Sequence, residues 1–248
     1  MIGVLFPLEH EAGEFLRKVK ALPNRHSRLI LWQVPSSAFP VPLWVGILGM
    51  GKQCQASARD FFASFHPSTT ILAGYAGALV RGLNVGELYA VENFSTFLPP
   101  DPVLKACGIK LARGTMADDI IATPQAREAL AHSSGAEVVD MESQLVWEEA
   151  QQAGCKLCVL RVVSDPFERV LPVKALYKAF GKRGASELER AITLAAHFGR
   201  NPSEFLPFLG FVRDLMRARR ALTRGLMALI GSLAPALACQ VAANETSS

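Results

Sequence analysis

Residues Ala136 to Pro166, AEVVDMESQLVWEEAQQAGCKLCVLRVVSDP, constrain the chain more than any other stretch. Two short β-branched apolar runs, Val138-Val139 and Val159 to Val163, each end in carboxylates, and a segment of helical period lies between them. The pattern reads as one βαβ unit. A right-handed crossover makes its strands parallel, so Asp140 and Glu142 after the first strand, and Ser164 and Asp165 after the second, are expected at one sheet edge. Ligands of open α/β sheets bind there.

The flanking sequence extends this unit into a larger α/β fold. Ile2 to Phe6 reads as a buried strand, followed by a helix from Pro7 to about Lys20 with proline at a tolerated first-turn position. Leu29 to Val34 and Leu43 to Leu48 read as a strand pair around a proline-rich loop. Gln53 to Phe65 reads as a helix, and Thr69 to Ala73 as a strand running into a small-residue turn, Gly74-Tyr75-Ala76-Gly77, whose backbone can approach a ligand closely. Glu87 to Phe94 and Lys110 to Thr115 are further strands, Leu98 to Gly108 a loop, and Pro124 to His132 a helix. After Asp165 no strand follows, and Pro172 to Phe180, Ser186 to Phe198 and the chain from Phe205 onward all read helical. The expectation is a three-layer α/β fold over residues 1–181, a central mixed sheet flanked by helices, with a helical C-terminal extension over 182–248 that ends in a flexible stretch.

Composition narrows the function classes. The 248 residues are 50% hydrophobic and carry five cysteines without framework spacing, and no signal-peptide pattern opens the chain, so a reducing cytoplasm is expected. Cys155 and Cys158 lie at the start of a strand, where positions three apart point to opposite faces, so they read as buried thiols and not as a zinc or redox pair. Gly46-Ile-Leu-Gly49-Met-Gly51-Lys52 has the spacing of a P-loop, yet Gln53 replaces the hydroxyl that magnesium needs and Gly46 falls inside a strand. No metal or organic cofactor is expected. The net charge of +4 is concentrated, with nine basic and four acidic residues between Gly181 and Arg224. A nucleic-acid binder spreads such residues over its folded face, so an acidic surface such as lipid is the better partner.

The turns after Phe6, Leu48, Ala73, Asp140 and Ser164 are expected along one edge, which brings Glu11, the Gly49-Gly51 turn, the Gly74-Gly77 turn, Glu142 and Asp165 around one cleft. A carboxylate there accepts hydrogen bonds from ribose hydroxyls, and a carboxyl kept protonated by partial burial donates to a leaving nitrogen. That combination suits glycosidic bond cleavage. Asp140 reads as a cap for the helix that follows it.

In order, IGVLFPLEHE, GMGK, LAGYAGAL followed by NVGEL, VVDMES and RVVSDP resemble the superfamily of purine nucleoside phosphorylases and methylthioadenosine/adenosylhomocysteine nucleosidases, over most of residues 2–170. The resemblance implies an enzyme that cleaves the N-glycosidic bond of a small-molecule nucleoside. It would place Glu142 on the ribose hydroxyls, Met141 beside the sugar, Asp165 as the acid that protonates the purine, Ser164 as its orienting partner and Glu11 as the base that activates water. Gly74, Tyr75 and Ala76 would border the substrate, and Ile120 stands where similar nucleosidases stack a phenylalanine on the base. Glu9-His10-Glu11 and Leu72-Ala73-Gly74-Tyr75 occupy the places where related phosphorylases carry phosphate-holding arginines, which favours water as nucleophile. Gly49 and Gly51 stay as a candidate anion loop, with phosphate as co-substrate the alternative.

The form VDMES, the SDP followed by Leu171-Pro172, and RNPSEFLPFLGFVRDLMRARRALTRG resemble the hopanoid-associated phosphorylase group. This implies adenosylhopane as substrate, an adenine nucleoside with a polycyclic lipid at its 5′ position. Methylthioadenosine/adenosylhomocysteine nucleosidase activity is the alternative inside the superfamily, and a non-catalytic, membrane-associated nucleoside-binding protein the alternative outside it. A homo-oligomer, most simply a dimer, is expected. At about 100° per residue, Phe211, Leu215, Leu222, Leu226, Leu229 and Leu233 share one helical side, and Arg213, Arg217, Arg220 and Arg224 fall opposite. Residues 205–233 therefore read either as an interfacial helix at the inner face of a membrane or as a core or dimer helix with a solvated basic face; periodicity does not separate the two. From Gly225 to Asn244 there is no formal charge, but Gly231, Pro235 and Gln240 argue against a membrane span.

Overall fold

The computed structural model describes residues 1–25, 29–180 and 187–245. Strands and helices alternate from the start, through β1 (Ile2–Phe6), α1 (Glu9–Lys18), β2 (Leu22–Arg25), β3 (Ile30–Val34), β4 (Leu43–Ile47), α2 (Lys52–Phe65) and β5 (Thr69–Ala78). Next come β6 (Leu88–Val91), α3 (Asp101–Ala106), β7 (Ile109–Ala112), β8 (Gly114–Met116), α4 (Pro124–Ser134), β9 (Val138–Asp140), α5 (Ser143–Gln152) and β10 (Lys156–Asp165). The chain closes on α6 (Val173–Phe180), α7 (Glu187–Arg200) and α8 (Phe205–Glu245).

One mixed sheet forms in the order β2-β3-β4-β1-β5-β10-β6-β7, with β9 paired to β5 and β8. The central strands β4, β1, β5 and β10 run parallel, and every residue of β1 is buried, as a strand covered on both faces requires. Helices α1, α3 and α8 cover one face and α2 and α5 the other, which is the expected three-layer arrangement. Strand periodicity divides β10 between the two cores: Cys158, Leu160 and Val162 face the first, while Leu157, Val159 and Val163 face the second. Cys155 and Cys158 are both free and buried, in different clusters, and Gly46 lies within β4.

The opening βαβ expectation needs correction. β9 is antiparallel to β5 while β10 is parallel to it, so β9 and β10 flank β5 from opposite sides and run in opposite directions. The cause lies in β5: β1 covers only Thr69 to Leu72 along one of its edges, leaving Gly77 and Ala78 free to pair with the three-residue β9. Both carboxylate ends still converge, because Val139 and Asp165 each sit opposite Gly77. The supposed turn Gly74 to Gly77 is also strand, the second half of β5. Further differences are local: Asp101 to Ala106 is helical, Lys110 to Thr115 splits into β7 and β8 with different partners, and Leu22 to Arg25 adds an edge strand.

The apolar stripe of the last helix is core. Leu222, Leu226, Leu229 and Leu233 pack with β-strand residues of the first cluster, and Phe211 and Leu215 join a smaller cluster with α6. A buried leucine contributes about 1.5–3 kcal/mol, so this stripe is not free to enter a bilayer. Arg213, Arg217, Arg220 and Arg224 are exposed on the opposite side. Among the described residues no helix is long and apolar enough to cross a membrane. The domain boundary expected at 181 lies in 181–186, outside the described residues, as does 246–248, part of the end expected to be flexible.

Candidate active site

The ends of β1, β5, β9 and β10 open on one cleft, and α6 and α8 close its far side. Glu11, Tyr75, Ala76, Ile120, Met141, Glu142, Ser164 and Asp165 all line it. Gly49, Gly51 and Gly74 do not. Met50 borders the cleft between the two glycines, and the Gly49 N–H donates to the Pro7 carbonyl at 2.9 Å, so that N–H is already engaged. Gly74 sits behind the wall: a Cβ there would lie 2.1 Å from Arg161 Nη1 and 3.2 Å from Glu11 Oε1. Glycine is needed there to let a guanidinium pass under the strand, a packing reason and not a ligand contact.

Glu11 is buried in the first turn of α1. Its Oε2 accepts the Leu8 N–H at 2.9 Å and its Oε1 accepts the Tyr75 N–H at 2.9 Å, so one carboxylate ties the helix start to β5. Burial pushes its pKa up to about 7, against the lowering effect of the Tyr75 N–H and the Arg161 charge. Glu142, also buried, is pushed up to about 8 by burial; Arg161 opposes the shift, while Asp140 and Glu11 add to it as like charges. Two carboxylates poised near neutrality in one cleft is the arrangement expected of acid–base chemistry.

Arg161 is one of two buried arginines that sequence reasoning left out, with Arg127. It is 1% exposed, its Nε donates to Asp140 Oδ2 at 2.8 Å, and its Nη2 donates to Ser143 Oγ at 2.9 Å. Burial would lower its pKa, but Asp140, Glu142 and Glu11 outweigh that and raise it. It thus holds a permanent positive charge beneath the two titrating glutamates. The signal was present in the sequence: an arginine inside a β-branched buried run demands a buried acid nearby. Asp140 meets that demand while capping α5, accepting the Glu142 N–H at 3.0 Å and the Ser143 N–H at 2.8 Å.

Asp165 is held from two sides. Ser164 Oγ lies 2.5 Å from its Oδ1 and 3.2 Å from the Ala76 carbonyl, and Arg127 of α4 donates to its Oδ2. The opposite side of the cleft is apolar. Leu171, Leu176 and Phe211 line it and belong to a cluster that includes Phe208 and packs against Ile120. Tyr177 of α6 donates to Asp119, and the Leu171 N–H donates to the Ala122 carbonyl at 3.0 Å, tying α6 to the segment that carries Ile120. Among the described residues no cluster of three or more His, Cys, Asp or Glu side chains is placed to hold a metal ion.

No protein-family model matches the chain, and no curated protein sequence matches it. Solved structures do. The futalosine hydrolase of Helicobacter pylori superposes with a TM-score of 0.64 at 16% identity, covering 92% of this chain and 96% of its own. The 5′-methylthioadenosine nucleosidase of Arabidopsis thaliana matches with a TM-score of 0.64 at 15% identity, over 92% of this chain and 93% of its own. The 5′-methylthioadenosine/S-adenosylhomocysteine nucleosidase of Helicobacter pylori matches with a TM-score of 0.64 at 15% identity, over 92% and 97%. These likenesses establish a nucleoside phosphorylase-like fold.

Proposed function

We propose that this protein is an enzyme that cleaves the N-glycosidic bond of an adenine nucleoside and releases adenine. The observation that carries the reading is the convergence of Glu11, Glu142 and Asp165 on one cleft, with Arg161 beneath the two glutamates. The C1′–N9 bond breaks with its electron pair going to the base, and Asp165 supplies the proton that neutralises it. Glu142 receives the ribose hydroxyls, and its charge stabilises the positive sugar that develops. Glu11 takes a proton from the water that attacks C1′. Hydrolysis is favoured over phosphorolysis because a second anion beside Glu11 and Glu142 would be repelled, and the Gly49 N–H is already engaged. The solved neighbours include a 5′-methylthioadenosine nucleosidase, named for an adenine nucleoside, and a futalosine hydrolase.

The finer assignment is adenosylhopane. Its support is the apolar side of the cleft, Leu171, Leu176 and Phe211, which suits a hydrocarbon 5′ substituent better than a charged one. The outward face of α8 adds to it: exposed Leu206, Leu209 and Met216 share the helix with exposed Arg213, Arg217, Arg220 and Arg224, a mixture suited to an anionic lipid surface on the cytoplasmic side. Methylthioadenosine or adenosylhomocysteine is the alternative substrate that the structural likeness favours.

The test is adenine release from adenosylhopane and from methylthioadenosine, each with and without phosphate. Adenosylhopane turned over faster and without phosphate is the expected result. No adenine from any nucleoside, with Glu142→Gln leaving nucleoside affinity unchanged, would replace the enzyme by a binding protein. Vesicle flotation with Leu206→Glu decides the membrane contact, and sedimentation decides the expected dimer.

A further inference from the structure

We propose that Arg127 is a positioning residue for the contact between Asp165 and the leaving base, an inference that rests on the reading above. It begins with an irregularity in the sheet. β10 pairs with β5 in step up to Val163 and Ala76, and the next pair is Asp165 with Gly77, so Ser164 is an extra residue. On a regular strand Asp165 would share the face of Val163 and Arg161, which points away from Tyr75. The bulge moves it across. Its Oδ2 lies 3.0 Å from where a Gly77 Cβ would be, on the face that Gly77 shares with Tyr75, and both residues line the cleft.

A bulge leaves backbone carbonyls unpaired, and Arg127 answers them. It comes from α4, is 1% exposed, and has no role in the scheme above. Its Nη1 donates to the carbonyls of Ala78 at 3.0 Å, Pro166 at 3.1 Å and Asp165 at 3.4 Å, while Nη2 donates to Asp165 Oδ2. One guanidinium therefore ties the ends of β5 and β10 together and holds one carboxylate oxygen. This division selects the acting atom. With Oδ2 on Arg127, Oδ1, beside Ser164 Oγ at 2.5 Å, is the oxygen left to pass a proton to the base. When that proton passes to the base nitrogen, the negative charge left on Asp165 already faces a guanidinium, an interaction stronger after the transfer than before it.

Arg127→Met is expected to lower kcat about 10²-fold, the scale of losing one preorganised donor, and to change KM by less than about threefold. Arg127→Lys, which keeps the charge but cannot span the carboxylate and three carbonyls together, should fall between the two. In an Asp165→Asn background the methionine substitution should cost nothing more, because its effect runs through Asp165. A folded Arg127→Met enzyme with wild-type kcat would overturn the proposal, as would an undiminished loss in the Asp165→Asn background. If Arg127→Met alone does not fold, the lysine variant and the double substitution, which removes both charges together, carry the same comparison. Wild-type protein that releases no base at all would sink the parent reading and this proposal with it, whereas an active wild type with an indifferent Arg127 sinks this one alone.

Discussion

Two buried arginine–aspartate pairs flank one cleft, Arg161 with Asp140 and Arg127 with Asp165, and their burial is nearly the same, at 1% and 5% against 1% and 7% for the side chains. They differ in what is left over. Asp140 spends its acceptors on Arg161, on two backbone N–H groups at the start of α5, and on the Ser143 hydroxyl. Both aspartates border the cleft, but the Asp165 carboxylate is gripped by two side chains, Arg127 and Ser164, and not by a helix start. For the arginines the asymmetry is reversed: Arg127 serves one carboxylate and three carbonyls, whereas Arg161 balances Asp140, Glu142 and Glu11 together. A buried ion pair is therefore not informative in itself; its remaining valences decide whether it locks the fold or meets a substrate.

The largest expected effect separates the aspartates. Asp165→Asn should lose about 10²- to 10⁴-fold in base release, the range for removing a general acid, while Asp140→Asn loses much less. Both break a buried pair, at a cost of about 3 kcal/mol each. In melting temperature that is a fall of roughly 6–12 °C for a chain of this size. Activity and melting curves measured on the same preparations check both halves. Equal losses of turnover would erase the distinction and bring Asp140 into the chemistry.

The arginines come next. Arg161→Met should destabilise the protein by about 3–5 kcal/mol near neutral pH, because three carboxylates lose their shared counter-charge. The pH dependence has a definite sign. Glu11 and Glu142 already titrate above their ordinary value in the folded state, at about 7 and about 8, and without Arg161 they rise further. Such groups contribute stability that is present below the unfolded-state value and lost as pH climbs through the folded one. Arg161→Met should therefore be most nearly wild-type in acid, and its deficit should widen from about pH 5 to pH 8. Arg127→Met, facing a single carboxylate, should show a flatter profile. Denaturant midpoints across that range distinguish them, and parallel profiles would mean that Arg161 is not the counter-charge of the two glutamates.

These pairs also show how far the sequence could be read. Strands β1 and β10 and helices α1 and α2 were legible because their apolar periods are strong, and Glu11, Glu142 and Asp165 because they fall at or just beyond strand ends that meet at the cleft, within motifs that resemble a known superfamily. Direction was not legible for β9, since three residues do not specify a partner and the free edge of β5 decided it. Nor was the bulge at Ser164, which no local pattern announces. Gly74 was read as a backbone approaching a ligand when the approaching group is Arg161, because a glycine in sequence says only that a side chain is forbidden. Arg127 had no signal at all: PQAREAL is an ordinary amphipathic helix start until its partner, 38 residues downstream, is folded against it. The tail's two readings were separated only by the sheet beneath it, where Leu226 and Leu229 are completely buried.

The smallest expected effect lies in the pH profile, and it tests how tightly the Arg161 side of the cleft is coupled. If Glu11 and Glu142 must both be ionised, kcat/KM should rise with pH through about 7 and about 8, with apparent values that belong to the coupled pair. Glu11→Gln removes one of the two ascents. It also removes a like charge that raises Glu142, so the remaining ascent should fall below about 8 and not merely persist there. Glu142→Gln should instead leave the Glu11 ascent near 7, because burial and Asp140 are what raise it. Profiles of kcat/KM for the two variants, taken in one buffer series, check the asymmetry. An unmoved ascent in Glu11→Gln would mean that Arg161 screens the glutamates from each other and that the two carboxylates act independently.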